Sequence, residues 1–164
     1  MPTDRLDAKR ILIVDDEPDV LETLEELLSM CDTVSATTFD EAKKLLESQR
    51  FDMAILDIMG IDGYQLLEIA CDKDVMAVML TAHALTPEDA AKSCKKGAAY
   101  YVPKDEMVNI TTFLDDVLEA KEKGKPFWWR WLERFGDYFA RKFGPDWQKH
   151  DKGFWENIAH YGPY

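Results

Sequence analysis

The chain has 164 residues, a length that fits one ordinary domain or one domain with an appendage. Its net charge of −12 argues against a general nucleic-acid binder, and no apolar run approaches the ~20 residues of a membrane span. The first ten residues carry charges of both signs and no apolar core, so we expect no secretory signal. Three cysteines without metal-ligand spacing are typical of buried or half-buried thiols in a reducing cytoplasm, the compartment that we predict.

Four apolar runs and one half-polar run predict β-strands, and each is followed by a segment with helical periodicity. The predicted strands are residues 11–16, 32–38, 53–57, 75–81 and 99–104. The predicted helices are residues 17–30, 39–49, 64–71, 86–97 and 105–123. Because strands that alternate with helices form parallel sheets covered on both faces, the pattern predicts an α/β fold. The half-polar second strand is expected at an edge of the sheet.

The fourth predicted helix has the clearest signals at its ends. Thr86 is a suitable N-cap because its side-chain oxygen can accept a hydrogen bond from the first turn. Pro87 then occupies the first helical position, where its missing N–H is not needed. Gly97 is the expected C-cap.

The composition changes abruptly near residues 121–126. Residues 1–119 hold 26 acidic and 11 basic side chains, whereas residues 120–164 hold 6 acidic and 9 basic ones. All five tryptophans, and 13 of the 19 aromatic residues, lie in this last segment. We therefore predict two structural units, residues 1–123 and residues 124–164.

The segment 125–164 is predicted to form a helical hairpin that is divided at residues 144–145. The first helix would present an aromatic face made of Trp128, Trp131, Leu132, Phe135, Tyr138, Phe139 and Phe143. The second would present Trp147, Phe154, Trp155, Ile158 and Tyr161. Asp146 is a candidate N-cap of the second helix. Two helices of this size cannot enclose a core by themselves, so the aromatic faces must cover another surface.

Three interpretations of this aromatic tail stay open. It packs on the first unit or on a second copy of the chain, it binds a different protein, or it lies at a membrane interface. We do not expect DNA binding, because there is no third helix and acidic residues interleave the basic ones. The tail also offers no pair of nucleophile and base.

Polar side chains follow four of the predicted strands. Asp15 and Asp16 end the first run, Asp57 ends the third, Thr81 ends the fourth and Lys104 follows the fifth. Open α/β sheets bind ligands at the carboxyl ends of their strands. The sequence therefore predicts that three acids, a hydroxyl and an ammonium meet at one edge. The alternative is that Asp15 and Asp16 only cap the following helix.

Three neighbouring carboxylates repel each other unless a cation lies between them. Mg²⁺ fits such a site, because it takes one or two carboxylates, water and a phosphate oxygen as ligands. Phosphoryl transfer to a carboxylate needs little beyond positioning and charge neutralisation. We therefore interpret Asp57 as a nucleophile and Asp15 with Asp16 as metal ligands. Lys104 and Thr81 would bind phosphoryl oxygens.

Residues 10–122 resemble a response-regulator receiver domain, the phospho-acceptor half of a two-component system. The segments that carry the resemblance are ILIVDDEPDV, MAILDIMGIDGYQLLE, VMLTAHA and GAAYYVPKD. The resemblance implies a flavodoxin-like fold with five parallel strands in the order 2-1-3-4-5. It also implies that a histidine kinase or phosphotransfer protein donates a phosphoryl group to Asp57 with Mg²⁺ bound.

The same resemblance implies roles for single residues. Asp16 would hold the metal directly and Asp15 more often through water. Asp57 would be a further metal ligand, and Met59 would contribute its backbone carbonyl. Thr81 and Lys104 would bind the phosphoryl group. Tyr101 matches the switch aromatic that turns inward when Thr81 moves toward phosphate.

The chain departs from the family pattern at two places. The segment between Asp57 and Asp62 is two residues shorter than usual, which tightens the loop that presents Met59. Lys104 precedes Asp105 instead of proline, so we predict a trans bond there, because a cis bond without proline costs ~2.5–4 kcal/mol. His83 is hypothesised to affect the lifetime of the phosphate, and the alternative is an exposed loop histidine.

The sequence thus predicts a cytoplasmic response regulator that is not an enzyme beyond its own phosphorylation and dephosphorylation. Signalling would change contacts with a downstream protein or with a second copy through the tail, without nucleic acid or membrane. The alternative is a receiver-like scaffold that binds proteins without being phosphorylated. A Mg²⁺-dependent phosphatase is disfavoured, because no general acid stands two residues after Asp57.

Overall fold

The computed structural model describes residues 5–58, 62–82, 86–147 and 154–155, without the side chains of Trp129 and Tyr138. Its five strands are β1 (Arg10–Val14), β2 (Asp32–Ala36), β3 (Met53–Asp57), β4 (Met76–Thr81) and β5 (Tyr100–Pro103). All neighbouring strands are parallel, and the order is β2-β1-β3-β4-β5. The predicted α/β class, the strand order and the edge position of β2 are confirmed. The other edge of the sheet is β5.

Six α-helices accompany the sheet in the described part of the chain. They are α1 (Pro18–Leu27), α2 (Phe39–Ser48), α3 (Gly63–Asp72), α4 (Pro87–Lys95), α5 (Ile110–Lys123) and α6 (Trp129–Phe143). Helix α1 contacts α5, and α2 contacts α3, so the sheet is covered on both faces. β3 is buried along its whole length because it lies in the middle of the sheet. None of the described helices is long and apolar enough to cross a membrane.

Two helices begin or end differently from the prediction. Glu17 is extended and Pro18 opens α1, because Pro fits the first helical position; the helix ends at Leu27 rather than at residue 30. The predicted helix 105–123 starts as a 3₁₀ segment, Lys104–Asn109, and becomes α-helical at Ile110. No residue of the 3₁₀ segment is buried, so packing does not stabilise a regular α-helix there.

The predicted N-cap of α4 is present, and the glycine predicted as its C-cap lies one residue beyond the C-cap. The Thr86 hydroxyl accepts a hydrogen bond of 3.1 Å from the Asp89 N–H. At the other end, Gly97 has a φ of 101°, a left-handed value that favours glycine. Gly97 lies one residue beyond the C-cap, Lys96, where a left-handed glycine ends many helices.

The three cysteines are free thiols. Cys94 is buried and Cys31 half-buried, and burial raises the pKa of the Cys31 thiol to about 11. Cys71 is exposed, contrary to the prediction, because its side chain lies against the carbonyl of Gly97 rather than in the core. The raised pKa of Cys31 and the burial of Cys31 and Cys94 are typical of structural rather than reactive thiols.

Residues 125–147 and 154–155 pack against the chain's own sheet, and we call them the extension. Trp131, Phe135 and Phe139 on α6, and Trp128 directly before it, are buried, as the predicted aromatic face requires. Phe143 at the end of α6 is 39% exposed, so the face ends one turn earlier than predicted. Of the second predicted helix, the structure describes residues 145–147, which form a turn with Trp147 buried, and Phe154–Trp155. Asp146 is exposed in that turn, and Ile158 and Tyr161 lie outside the described residues.

Candidate functional site

Four strands deliver polar groups to one edge of the sheet, as the sequence predicts. Asp15 follows β1, Asp57 ends β3, Thr81 ends β4 and Lys104 follows β5. These strands are neighbours, and the register pairs Asp57 with Leu80 and Thr81 with Pro103. The four side chains therefore start from adjacent backbone positions although up to 89 residues of sequence separate them, counted from Asp15 to Lys104.

The site groups differ in their access to solvent. Asp15, Asp57 and Thr81 are buried, whereas Asp16 is exposed. Asp15 is held by its own chain, because its Oδ1 accepts a hydrogen bond of 2.9 Å from the Glu17 N–H. Asp16 therefore faces the entrance of the site, and Asp15 forms part of its floor.

The Lys104 ammonium is the centre of the site. Its Nζ lies 2.8 Å from Asp15 Oδ2, 2.9 Å from Glu17 Oε1 and 3.6 Å from Asp57 Oδ1. The Lys104 side chain is only 12% exposed, so these attractions act in a partly desolvated place. A single cation thus neutralises acids that come from two different strand ends.

Burial and pairing act in opposite directions on these charges. Burial raises the pKa of Asp15 above its usual value, and the hydrogen bond from Lys104 only partly opposes that rise. Burial alone lowers the pKa of the Lys104 ammonium, but hydrogen bonds to Asp15 and Glu17 outweigh it and raise the pKa overall. Lys104 therefore stays charged at neutral pH, and its positive charge stabilises the ionised form of Asp15.

Carboxylate oxygens in this site fit a hard divalent cation. One oxygen each from Asp15, Asp16 and Glu17 lie within 4.8 Å of one another. Asp15 Oδ2 is buried and has no hydrogen bond of regular geometry with a described residue; its close contact is the Lys104 ion pair. Such an acceptor suits Mg²⁺, which prefers oxygen ligands. Met59, the predicted carbonyl ligand, lies outside the described residues.

Glu17 was not predicted to belong to the site. Its carboxylate binds Lys104, and its backbone N–H binds Asp15. The signal in the sequence was a third consecutive acid after a strand, placed directly before Pro18. Glu17 was predicted only as the first residue of the following helix, and its proximity to Lys104 follows from the fold.

Gly63 makes the closest backbone approach to the acceptor strand. A Cβ at Gly63 would lie 2.2 Å from the carbonyl oxygen of Asp57, closer than any real contact. The preceding residue, Asp62, is left-handed with a φ of 52°, and the Gly63 N–H donates to the Ile58 carbonyl over 3.3 Å. Helix α3 can therefore start this close to Asp57 only with glycine.

Replacing Gly63 by alanine is expected to distort the backbone that carries Asp57. We expect the free energy of unfolding to fall by about 1–3 kcal/mol, the usual cost of overpacking, in urea denaturation. Gly136→Ala is the matched control, because a Cβ at Gly136 meets nothing within 4 Å and alanine favours a helix. Equal stability of both variants would contradict the close approach.

Tyr101 and Thr81 lie together next to the site. The Tyr101 side chain is fully buried, and its hydroxyl has no hydrogen-bond partner of regular geometry among the described residues. Burial raises the pKa of this phenol well above its usual range, and the Thr81 hydroxyl acts in the opposite direction. The structure thus shows Tyr101 buried beside Thr81, and its turning inward when Thr81 moves toward phosphate stays a prediction.

Two further predictions concern the loops around the site. The Lys104–Asp105 peptide bond is trans, as predicted, since the structure shows no cis bond among its described residues. His83 lies outside the described residues, so its hypothesised effect stays a prediction.

A parallel five-stranded sheet in the order 2-1-3-4-5, with helices on both faces, defines a flavodoxin-like α/β protein, and acids, a hydroxyl and a lysine meet at its carboxyl edge. The family model for the response regulator receiver domain matches residues 11–114, well over half of the chain. The chain belongs to this family.

Curated relatives agree with this assignment over the same region. The two-component response regulator ARR18 of Arabidopsis thaliana is 38% identical over 102 residues, which cover 58% of this chain and 16% of the relative. The heme response regulator HssR of Staphylococcus aureus strain Newman is 40% identical over 86 residues, covering 49% and 38%. The chain therefore spans only a minor part of the relatives that it matches.

Solved structures agree as well. A response regulator receiver domain protein (CheY-like) from Methanospirillum hungatei JF-1 superimposes with a TM-score of 0.63 and 27% identity. The match covers 71% of this chain and 98% of that one. The N-terminal domain of a response regulator receiver protein from Methanoculleus marisnigri JR1 gives a TM-score of 0.52 at 31% identity, covering 58% and 83%.

Proposed function

We propose that this receiver accepts a phosphoryl group on Asp57 from a histidine kinase or a phosphotransfer protein, with Mg²⁺ bound. The observation that supports it most is the Lys104 ammonium, which lies within 3.6 Å of both Asp15 and Asp57 at the ends of separate strands. Stability of the fold does not require a cation between buried acids, because well-packed apolar side chains would stabilise it equally well. It provides a nucleophile beside a fixed positive charge.

The transfer uses few protein groups. An oxygen of Asp57 attacks phosphorus, the P–O bond forms, and the P–N bond to the donor imidazole breaks, which leaves a neutral histidine after protonation. Lys104 and the Thr81 hydroxyl bind equatorial oxygens and stabilise their charge. Asp15 and Asp16, with Glu17 beside them, would hold Mg²⁺, which supplies the remaining neutralisation of the phosphoryl charge. Water later hydrolyses the acyl phosphate, which releases inorganic phosphate and restores the Asp57 carboxylate.

The positions of the acids suggest how the site changes on phosphorylation. Lys104 is closer to Asp15 and Glu17 than to Asp57, so it is held by acids before transfer. A phosphoryl group on Asp57 offers it more negative charge than Glu17, whose side chain is 58% exposed and thus well hydrated. Lys104 is therefore expected to exchange Glu17 for a phosphoryl oxygen. The resulting change of protein contacts is the proposed signal.

The experiment incubates the chain with acetyl phosphate and Mg²⁺ and measures its intact mass. We expect a gain of one phosphoryl group that requires Mg²⁺ and is absent in Asp57→Asn. Asp52→Asn is the matched control, because Asp52 lies at the other end of β3, where it accepts a hydrogen bond from the Arg10 N–H. That variant should gain the phosphoryl group like the wild type. An unchanged mass of the wild-type chain contradicts the proposal.

The second candidate function is a protein-binding scaffold that is never phosphorylated. The observation in its favour is that Glu17 and Asp15 already satisfy Lys104 at 2.9 Å and 2.8 Å. In a scaffold this internal network would only stabilise the fold. The same mass measurement separates the two functions, because a scaffold gains no phosphoryl group.

A further inference from the structure

Tryptophan side chains of the extension cover the edge strand β5. β5 is an edge strand, and such a strand presents unpaired backbone groups on its outer side. The Trp128 indole donates to the Ala98 carbonyl just before β5, and the Trp131 indole donates to the Tyr101 carbonyl within it, each over 2.8 Å. Both tryptophans are fully buried. The extension therefore replaces a missing neighbour strand.

Ion pairs attach the extension to α5 on one side of β5. Arg134 binds Asp116, with one contact of 3.0 Å, and the Tyr100 hydroxyl donates to the same carboxylate over 2.9 Å. Arg130 binds Glu119 over 3.0 Å. Asp116 is buried, so Arg134 supplies the charge that its burial demands.

Aromatic packing completes the attachment on both sides. The Phe135 ring lies 5.6 Å from Phe113 of α5 and 5.5 Å from Trp131, measured between ring centroids. On the side of α4, the Lys95 ammonium lies 5.0 Å from the centroid of the Phe154 ring. The extension thus spans α4, β5 and α5 as a continuous surface.

One of these contacts reaches the residue next to the phosphoryl site. Trp131 holds the backbone of Tyr101, whose side chain is buried against Thr81. Thr81 is the hydroxyl that the proposed function assigns to a phosphoryl oxygen. Asp57, Thr81, Tyr101 and Trp131 therefore form a short series of neighbours from the carboxylate site to the extension.

We propose that the extension is a built-in ligand of the α4–β5–α5 surface and that its docking is coupled to phosphorylation of Asp57 through Tyr101. This inference rests on the proposed function. The bound segment is the chain's own amphipathic aromatic helix, so a protein partner that needs the same surface must displace it.

The coupling has a defined sign. Docking fixes the Tyr101 backbone, and in the docked chain the Tyr101 side chain is fully buried although its hydroxyl lacks a regular hydrogen bond. A buried polar group without a partner costs about 1–3 kcal/mol, so an undocked chain gains by turning Tyr101 outward. The resemblance to receiver domains implies that the ring of Tyr101 takes an inward position when Thr81 moves toward a phosphoryl oxygen. Phosphorylation and docking therefore favour the same position of Tyr101.

Linkage requires that the effect is reciprocal. If phosphorylation tightens docking, then docking stabilises the phosphorylated form by the same factor. The extension would act as an internal activator and not as an inhibitor. A competing partner on the α4–β5–α5 surface would in turn weaken phosphorylation.

The test is amide hydrogen exchange in α6 of the full chain, with and without Mg²⁺ and beryllofluoride, which mimics a phosphoryl group on a carboxylate. We expect exchange in the wild type to slow by about fivefold or more, the lower end of typical coupling between sites. Trp131→Phe keeps an aromatic ring but removes the indole donor, and it should lose most of this slowing. Trp128→Phe is the matched control, because it removes an equal hydrogen bond to Ala98, and it should keep the slowing.

The outcomes separate the inference from the proposed function. If acetyl phosphate adds a phosphoryl group but exchange in α6 is unchanged or faster, the coupling is wrong and the proposed function stands. Equal slowing in both tryptophan variants overturns the route through Tyr101. If neither reagent modifies the site, both claims fail. If Trp131→Phe does not fold, the same exchange measurement is made on Tyr101→Phe. This variant removes a hydroxyl that has no regular hydrogen-bond partner among the described residues.

Discussion

Trp131→Ala is expected to lower the free energy of unfolding by about 3–5 kcal/mol, the range for removing a large buried aromatic side chain. Trp131 is fully buried, and its ring lies 4.6 Å from Trp128, 5.5 Å from Phe135 and 5.8 Å from Trp155 between centroids. The substitution therefore leaves a cavity where the extension meets the sheet, and it removes the hydrogen bond to Tyr101. Urea denaturation followed by circular dichroism measures the loss.

Phe143→Ala is the matched control for this prediction. Phe143 belongs to the same helix but is 39% exposed. The substitution should therefore lower the free energy of unfolding by well under 1 kcal/mol, as is usual for surface positions. The tryptophan variant should also self-associate in size-exclusion chromatography, because an uncovered β5 edge can pair with another chain. Equal stability of the two variants would show that the extension does not stabilise the receiver.

Lys104→Met is expected to slow phosphorylation from acetyl phosphate by about 10²–10³, the usual effect of removing one preorganised charge donor. The substitution keeps the length of the side chain and removes the only described ammonium within 4 Å of Asp15 and Asp57. It also leaves the buried Asp15 carboxylate without its cation, which costs about 1–3 kcal/mol of stability. The rate is read from intact mass against time, and the stability from urea denaturation.

The stability effect of Lys104→Met should depend on pH. Burial already raises the pKa of Asp15, and loss of Lys104 raises it further, so ionised Asp15 opposes folding at neutral pH. An acid whose folded pKa is raised lowers stability above that pKa, and the penalty disappears below its unfolded pKa. The variant should therefore regain stability as the pH falls. Lys44→Met, at an exposed position of α2, makes the same charge change and should alter neither rate nor stability.

The site was largely predictable because strand ends have a sequence signature. Each of the central strands is an apolar run, and the first polar residue after it marks where the chain leaves the core. In a parallel sheet all these ends lie on one side, so Asp15, Asp57, Thr81 and Lys104 had to meet. The order of the strands came from the family resemblance and not from the pattern.

Other features depend on backbone geometry, which the sequence does not display. The tryptophans of α6 were predicted to cover a surface, but their hydrogen-bond acceptors are the carbonyls of Ala98 and Tyr101. No side-chain pattern marks an open strand edge as the binding surface. The role of Glu17 was missed for a related reason, since its partner Lys104 is 87 residues away. Such long-range contacts follow only from the assembled fold.

The proposed docking of the extension would change how the receiver passes on its signal. In the described chain, the surface formed by α4, β5 and α5 is occupied by the protein's own helix. Its contacts combine two indole hydrogen bonds with ion pairs to Asp116 and Glu119. A protein partner must therefore either bind elsewhere or displace the aromatic helix α6. That competition would convert phosphorylation into a change of protein contacts.

The most direct test of the account locates the phosphoryl group. After acetyl phosphate and Mg²⁺, borohydride reduces an aspartyl phosphate to homoserine, and peptide mass spectrometry identifies the position. The account predicts homoserine at position 57 alone, and none when Mg²⁺ is chelated. A reduced residue at Asp15, Asp16 or Glu17, or no reduced residue in a folded chain, would contradict it.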